Sequence, residues 1–282
     1  MAIVAVCVAV FLIFGLVASD RKTPRAYLQE VRTGGGMFNI KRWQAAFALA
    51  GALENDHQLA RKDPGFVDEV VKLFLETEKE AQSDTPLVRR YLVLTLLRLG
   101  DPRAAPVLRH IVAEAKSETD SLTLIYATVA LGLFADEPSL PHLLDLARHE
   151  DPGLRKAAVH ALGHFTAPEA REAVAVALND PVEDVGWNAA LVLARGGDRR
   201  ATPVLLQMMD RSHLAKVPAL SAEQQDDAVL GAVQAAAALP EPSLRPPLER
   251  LRDSDPNLKV REAARLALAG VKPASAGEPA VP

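Results

Sequence analysis

An apolar stripe at helical spacing recurs along most of this chain, and its clearest copy occupies residues 151–165. Apolar residues in this copy return every three or four positions, which places them on one face of a helix. They are Leu154, Ala157, Ala158, Ala161, Leu162 and Phe165. Asp151 can accept hydrogen bonds from the first free backbone N–H groups, and Pro152 has no N–H to leave unsatisfied there. The pattern predicts a helix from Pro152 to Phe165, with alanines that let a neighbouring helix approach closely.

The same sequence pattern recurs along the chain at intervals of 47, 35, 31, 31, 44 and 31 residues. Residues 43–50 match residues 187–194 in character, each beginning with a tryptophan. The positions equivalent to Arg155 are Arg42, Arg89, Leu124, Gly186, Leu230 and Arg261. Periods in this range are typical of a helical solenoid, in which each repeat buries its apolar face against its neighbours.

The periodic segments predict six helical pairs followed by one last helix that caps the array. The first helices are predicted over 40–54, 86–99, 121–134, 152–165, 182–195 and 222–239. The second helices are predicted over 66–80, 103–116, 139–148, 168–178, 202–209 and 243–252, and the last helix over 257–271. The connection over 211–221 is longer and carries apolar residues. It is interpreted as a loop that folds over the groove, with a partner-binding loop as the alternative.

The repeated motif Asp-Pro-x-Leu/Val-Arg-x-x-Ala-Ala-x-Ala-Leu-Gly resembles HEAT repeats, especially the short type known from phycobilisome lyases. Residues 151–165 lie close to it, and residues 180–195 and 255–269 fit it with small departures. The resemblance covers roughly residues 39 to 271. It implies an all-α fold, a right-handed α-solenoid or HEAT-like α-α superhelix. It does not fix a function, because this repeat is a scaffold used for many purposes.

The N-terminal segment differs from the repeats because residues 2–17 contain no charged or strongly polar side chain. Such a helix would be about 24 Å long at roughly 1.5 Å per residue, near the lower limit for crossing a bilayer. We predict a transmembrane anchor that begins at Ala2 and ends at Ser19. A signal peptide cleaved near Ala18 remains an alternative. The basic residues that follow predict a single-pass membrane protein with its HEAT domain in the cytoplasm; a secreted or periplasmic adaptor is the topological alternative.

The predicted domain order follows from these segments. Residues 1–19 are the transmembrane anchor and residues 20–38 are a short helix with a glycine-rich joint. Residues 39–271 are the HEAT-repeat solenoid, and residues 272–282 are a disordered tail rich in proline, alanine and glycine.

Composition narrows the class of function. The chain of 282 residues is 49% hydrophobic and only 5% aromatic, which suits packed helices better than a sheet. Its net charge of -4 gives no sign of a nucleic-acid partner, which would call for a basic protein. Cys7 is the single cysteine, so neither an internal disulfide nor a multi-cysteine zinc site is possible.

Candidate catalytic chemistry is sparse. His160 and His164 are four residues apart and could face one metal, but no cysteine or acid on that helix face completes a ligand set. His149-Glu150 resembles one His-Glu pair of the deoxyhypusine hydroxylases, HEAT-like di-iron proteins, yet its companion pairs are missing. No nucleophile elbow, Walker loop or His-Glu-x-x-His motif occurs. We therefore predict no catalytic residue, metal, cofactor or small-molecule substrate, and a protein that is not an enzyme. A metal-dependent or lyase-like HEAT enzyme is the alternative.

The sequence thus predicts a membrane-anchored HEAT-repeat scaffold or adaptor that binds a protein partner. A regulatory or assembly subunit of a membrane complex is the alternative. The recurrent arginines are interpreted as a ladder to acidic residues of neighbouring turns, with a row that binds an anionic partner as the alternative. Candidate partner-binding residues are the exposed polar positions expected on the concave face of second helices: Glu69, Lys72, Arg109, Arg148, Glu172, Gln207 and Arg250.

Overall fold

Helices form all the regular structure that the computed structural model describes, which covers residues 22–34, 42–53, 62–80, 82–115, 120–218 and 220–270. With HEAT-type repeats, this all-helical architecture fits an α-solenoid. The described helices are, in chain order, α1 (Pro24–Thr33), α2 (Arg42–Ala52), α3 (Pro64–Glu76), α4 (Thr85–Leu99), α5 (Ala105–Ala113), α6 (Ser121–Leu133), α7 (Leu140–Leu146), α8 (Pro152–Leu162), α9 (Pro168–Val176), α10 (Glu183–Arg195), α11 (Thr202–Met208), α12 (Arg211–Leu214), α13 (Ala222–Ala238), α14 (Arg245–Ser254) and α15 (Leu258–Gly270). The predicted helices are all found, with ends shifted by a few residues.

Short 3-10 turns precede several second helices, and the apolar pattern does not predict them. They are Pro102–Ala104, Glu137–Ser139, Arg199–Ala201 and Pro242–Leu244. In two of them an aspartate fixes the turn: the carboxylate of Asp101 accepts from the N–H of Arg103, and that of Asp198 accepts from the N–H of Arg200. These side chains satisfy N–H groups that would otherwise lack a partner at a helix start.

The chain divides into two compact units. The first consists of Met1–Ile111 and Ala115–Ala127, and the second of Val112–Glu114 and Thr128–Pro282. In the first unit α2 packs against α1 and α4. Arg42 is almost fully buried there, and its Nη1 lies 2.7 Å from Oε2 of Glu80 while its Nε donates to the carbonyl of Val31 at 3.0 Å. The arginine therefore ties α1 and α2 to the end of the next helix.

In the second unit the first helices of successive repeats pack against one another in the order α8, α10, α13 and α15. Their contact faces are lined by alanines that are fully or almost fully buried, such as Ala158, Ala190, Ala232 and Ala264. Small side chains allow the helix axes to come close, as the alanine-rich stripe predicts. The core of this unit is continuous from Leu140 through the last helix.

Two glycines of the second unit lie close to the backbone of another repeat. A Cβ built on Gly132 of α6 would lie 2.4 Å from the Cα of Ala161 in α8, so the two helix backbones are nearly in contact. A Cβ on Gly186 would lie 3.2 Å from the carbonyl oxygen of Leu178. At Gly186, where other repeats carry arginine, the backbone of the preceding repeat thus passes close to the helix.

The recurrent arginines bind groups of the protein itself. Arg155 makes a two-point ion pair with Asp180, with Nε–Oδ2 and Nη2–Oδ1 distances of 2.7 and 2.8 Å. Its Nη1 donates to the backbone carbonyls of His149 and Glu150, both at 2.9 Å. Arg261 repeats the second contact by donating to the carbonyl of Asp255 at 2.5 Å. These contacts support the ladder interpretation, because both guanidinium groups are occupied inside the fold.

The connection between α11 and α13 contains a short helix, α12, that the sequence analysis interprets as loop. Arg211 at its start binds two carboxylates: its Nη1 lies 2.6 Å from Oδ1 of Asp226, and its Nη2 lies 2.8 Å from Oδ1 of the buried Asp255. At the other end Ser221 and Gln224 form a capping box that starts α13. Both ends of the connection are therefore held by specific hydrogen bonds.

No helix within the described parts of the chain has the length and apolar character needed to cross a bilayer. This finding corrects the predicted localisation, a single-pass membrane protein with its HEAT domain in the cytoplasm. The predicted anchor, from Ala2 to Ser19, lies outside the described residues, as do residues 35–38 of the joint and the predicted tail, 272–282. The domain boundaries stay predictions.

Candidate functional site

The seven residues predicted to contact a partner are distributed over both units. Glu69 and Lys72 lie on α3 and Arg109 lies on α5, all within the first unit. Glu69 accepts a hydrogen bond from Nη1 of Arg25 at 2.8 Å, whereas Lys72 is exposed and Arg109 is half-buried. The remaining four belong to the second unit: Arg148, Glu172, Gln207 and Arg250. All four are exposed, and two of them, Arg148 and Glu172, line a common groove.

That groove, called here the α7–α9 groove, has a volume of about 730 Å³ and is formed by α7, α9 and the turns that follow them. Apolar parts of its lining come from Leu144, Ala173 and Val176. Val176 is 66% exposed, whereas Val174 and Ala175 beside it on α9 are buried. The groove therefore offers an apolar strip that water covers in the isolated chain.

Charged groups surround this strip, and they differ in how far the protein already uses them. Arg155 and Asp180 neutralise each other, and Glu172 binds Arg200 with an Nη1–Oε2 distance of 2.7 Å. The side chains of Arg148, Glu150 and Glu169 make no hydrogen bond or ion pair with any described residue. The α7–α9 groove thus presents one cation, Arg148, and two anions, Glu150 and Glu169, whose side chains have no partner among the described residues.

The Arg155–Asp180 pair fixes the wall of the groove electrostatically. Hydrogen bonding to Arg155 holds the pKa of the Asp180 carboxyl below its usual value, against the opposing effect of burial. The N–H of Val182 adds a further hydrogen bond to the same carboxylate at 2.9 Å. Asp180 is therefore ionised at neutral pH, and the turn between α9 and α10 is held in one conformation.

A second groove, called here the connection groove, has a volume of about 770 Å³ and lies where the α11–α13 connection meets α10 and α13. Its apolar lining includes Trp187, Leu191, Met208, Val217 and Leu220. At 7% exposure the side chain of Trp187 is largely buried. The connection groove could be anticipated only from the apolar residues of the connection, because its walls come from segments about 70 residues apart in sequence.

The two histidines considered as metal ligands are neighbours, but the described chain supplies no third ligand. Their rings meet edge to face with centroids 5.3 Å apart. Burial lowers the pKa of His160, and electrostatic repulsion from His164 and Arg195 acts in the same direction. Among the described residues no cluster of three or more His, Cys, Asp or Glu side chains could hold a metal ion. A nearby arginine is an unfavourable neighbour for a cation, so this geometry does not indicate a metal centre.

His149 and Glu150 shape a turn. Nδ1 of His149 accepts from the N–H of Asp151 at 3.0 Å, and both backbone carbonyls accept from Arg155. This arrangement fixes the start of α8, where the carboxylate of Asp151 accepts from the N–H of Gly153 at 2.7 Å. The structure therefore gives this pair a local structural role.

Comparison with known proteins agrees with the repeat architecture. A family model described as HEAT repeats matches residues 112–185 and 140–224. This match supports the resemblance to HEAT repeats at the level of the family; it does not single out the phycobilisome-lyase type. No curated protein sequence matches the chain.

Solved structures provide a comparison of the fold. The X-ray structure of YibA from E. coli is similar with a TM-score of 0.53 at 16% identity, over 91% of this chain and 96% of that one. At this identity the likeness shows the fold alone. Human deoxyhypusine hydroxylase in complex with glycerol is similar with a TM-score of 0.36 at 19% identity, over 87% of this chain and 97% of that one.

The prediction that this protein is not an enzyme needs correction. It was drawn from the scaffold character of the repeat together with missing motifs, and neither of these excludes catalysis, because one fold can host many unrelated functions. A repeat fold of this kind is therefore no argument against catalysis. The family match is narrower: a model of HEAT repeats matches residues 112–185 and 140–224, which supports a relation to this family.

Proposed function

We propose that this protein is an interaction scaffold that binds a protein partner through the α7–α9 groove. HEAT repeats generally serve this purpose, because their stacked helices present extended surfaces. The observation that carries the proposal is the exposed apolar strip around Val176, flanked by Arg148 and Glu169, whose charges have no partner in the described chain. An apolar centre with a polar rim is the usual anatomy of a protein–protein contact.

The charges of the groove favour a protein over a nucleic acid. Arg148 is accompanied by the carboxylates of Glu150, Glu169 and Glu172. A phosphate backbone would be repelled by these carboxylates, and its recognition relies on several cations acting together. A protein segment can satisfy both signs of charge and also cover the valine.

Arg148 and Glu172 are accordingly proposed as partner contacts. The other candidates are proposed as additional contacts of lesser weight, since neither of the two grooves includes them: Glu69, Lys72, Arg109, Gln207 and Arg250. Glu172 would have to exchange its bond to Arg200 for one to the partner. This exchange costs little, since both side chains are largely exposed to solvent.

Site-specific crosslinking followed by binding measurements tests the proposal. A photoreactive residue at position 148 in host cells would identify the partner, which is then purified. We expect Val176→Asp to weaken the binding of this partner at least about tenfold, because the new carboxylate would be desolvated in the apolar strip. Leu258→Asp is the matched control, since Leu258 is 72% exposed on α15, outside the groove.

Equal losses in the two variants, or none in Val176→Asp, would contradict a binding role for the α7–α9 groove. Circular dichroism of both variants should match the parent chain, because each substitution replaces a side chain that is already mostly in water. A loss of binding in Val176→Asp then reports on the contact itself.

A further inference from the structure

The connection groove is held open by contacts at both ends of the segment that forms one of its walls. Arg211 anchors the beginning of the connection to Asp226 and Asp255, and the Ser221 capping box anchors its end. Asn257 adds a hydrogen bond to Asp226 at 2.7 Å, so the acidic partners of Arg211 are themselves fixed. A wall fixed in this way needs little further ordering when a ligand enters, which favours binding.

The floor of the groove is apolar and only partly covered. Trp187 and Met208 are buried at its base, while Leu191, Val217 and Leu220 are half-buried along its sides. The volume of about 770 Å³ exceeds that of any single side chain. The groove can therefore take one large apolar side chain together with the backbone that carries it.

The rim of the groove is acidic. Glu183, Asp184 and Asp227 line it, opposed by a single lysine, Lys156, whose Nζ lies 2.5 Å from Oδ2 of Asp184. The carboxylate of Asp227 is exposed and bonds to no described residue. His213 adds a positive charge only when it is protonated, with its Nε2 3.5 Å from Oε2 of Glu183. At neutral pH the groove therefore carries an excess of negative charge around an apolar floor.

We propose that the connection groove is a second docking site, and that it binds a protein segment with one large apolar side chain flanked by lysine or arginine. The apolar side chain lies over Trp187 and Leu191, and the flanking cations pair with Asp227 and Glu183. Charge complementarity selects this occupant, because an acidic or uncharged segment would leave those carboxylates without a counter-charge beside the bound chain. The inference extends beyond the α7–α9 groove and does not depend on it.

The test uses three fluorescein-labelled synthetic peptides and the full-length chain. The first has a central leucine between lysines, the second has serine in place of the leucine, and the third has glutamates in place of the lysines. We expect saturable binding, followed by fluorescence anisotropy, for the first peptide alone. Its affinity should fall as the salt concentration rises from about 0.05 M to about 0.5 M, because the pairing is electrostatic and close to solvent.

Two charge reversals localise the binding. Asp227→Lys should weaken the leucine–lysine peptide about tenfold or more, since it replaces an attraction at the rim by a repulsion. Asp145→Lys is the matched control: Asp145 is also exposed and its carboxylate bonds to no described residue, but it is not part of the groove lining. In a Trp43→Phe background the emission of Trp187 should shift when the first peptide binds.

Binding of all three peptides alike, equal effects of the two reversals, or no binding at all would overturn the proposal. An unchanged Trp187 emission on saturation would also overturn it, because the peptide would then be bound elsewhere. The result is independent of the α7–α9 groove: Val176→Asp should leave the affinity of the leucine–lysine peptide unaltered, so failure of one site is distinguishable from failure of the other.

Discussion

Arg155 connects its own helix to the next repeat through all three nitrogens of its guanidinium group. Two of them bind Asp180, and the third binds the carbonyls of the turn before α8. The side chains of this pair are only 12% and 8% exposed, so removing one partner leaves the other with neither water nor a counter-charge. These contacts give a structural reason for the recurrence of arginine in the repeats.

We expect Asp180→Asn to lower the free energy of unfolding by about 1–3 kcal/mol at pH 7, because Arg155 loses its ionic partner. Asp184→Asn is the matched control, because Asp184 and the adjacent Lys156 are 59% and 46% exposed. Asp184→Asn should lower the free energy of unfolding by less than about 1 kcal/mol. Urea denaturation of the two variants measures the difference, and equal costs would contradict the role assigned to Arg155.

The same comparison should depend on pH. Because Arg155 lowers the pKa of Asp180, the stabilisation is present above the pKa that this carboxyl has in the unfolded chain, and it is lost as the pH falls through the lower, folded-state pKa. The excess cost of Asp180→Asn over Asp184→Asn should therefore shrink on acidification. If the excess cost of Asp180→Asn grew at low pH instead, the result would contradict a lowered pKa of Asp180 in the folded chain.

The titration of His160 makes a second contribution to the pH dependence of the free energy of unfolding. Burial and neighbouring positive charge lower its pKa, so the unfolded chain binds a proton more readily than the folded one. Stability should consequently fall as the pH drops below about 6.5, the ordinary value for an imidazole. His160→Gln keeps a polar group there without the titration and should lose less stability between pH 7 and pH 5. An identical pH profile for the variant would contradict this account.

Among the elements, the first helices owe their close packing to particular small residues. Gly132 of α6 and Ala161 of α8 are in backbone contact, and Gly163 at the end of α8 faces Val192 of α10. Such approaches bring many atoms into van der Waals range without large side chains. They explain why a chain with few aromatic residues can still build a continuous core.

Gly132→Ala should lower the free energy of unfolding by about 2 kcal/mol or more, because the added methyl group would overlap backbone atoms that cannot move alone. Gly231→Ala is the matched control within a helix of the same unit. Its Cβ would meet Leu191 at 3.6 Å, an ordinary contact, so the better helix propensity of alanine should raise stability by up to about 1 kcal/mol. Thermal unfolding of both variants checks this, because Gly132→Ala should be less stable than the parent chain and Gly231→Ala more stable.

The helices were predictable from the sequence because each carries its own signals. Asp151, Pro152 and the alanine stripe specify α8, and Thr23 with Gly34 specify the ends of α1, where Gly34 adopts φ 80. The 3-10 turns and α12 were not predicted, because a single turn is too short to show a period. Their formation depends on aspartates such as Asp198 and Asp210, which cap only once the chain direction is set.

The grooves were less accessible to sequence reasoning than the helices. Arg148 and Glu172 were identified as exposed positions, but that they share one groove follows from how α7 and α9 pack. Gln207 and Arg250 are also exposed polar positions on second helices, yet they lie in neither groove. Periodicity distinguishes the buried face of a helix from the exposed one, yet it carries no information on where exposed residues of different helices meet.

At the scale of the whole molecule, the chain combines HEAT-type repeats with a small negative net charge. The two grooves described above differ in the charge of their linings. The α7–α9 groove carries both signs of charge around an exposed valine, whereas the connection groove is acidic around a tryptophan. The corrected predictions also belong to this scale. Membrane localisation was inferred for the whole protein from one N-terminal segment, and lack of catalysis from the scaffold character of the repeat and from missing motifs.

Hydrogen exchange of the full chain, with and without the partner crosslinked through position 148, tests the central claim most directly. The account predicts that the bound partner slows exchange of backbone amides in α9 and in the turn after α7, around Val176 and Arg148. Amides of the α11–α13 connection should exchange as before. Protection that spared α9 and appeared only elsewhere in the chain would contradict partner binding at the α7–α9 groove.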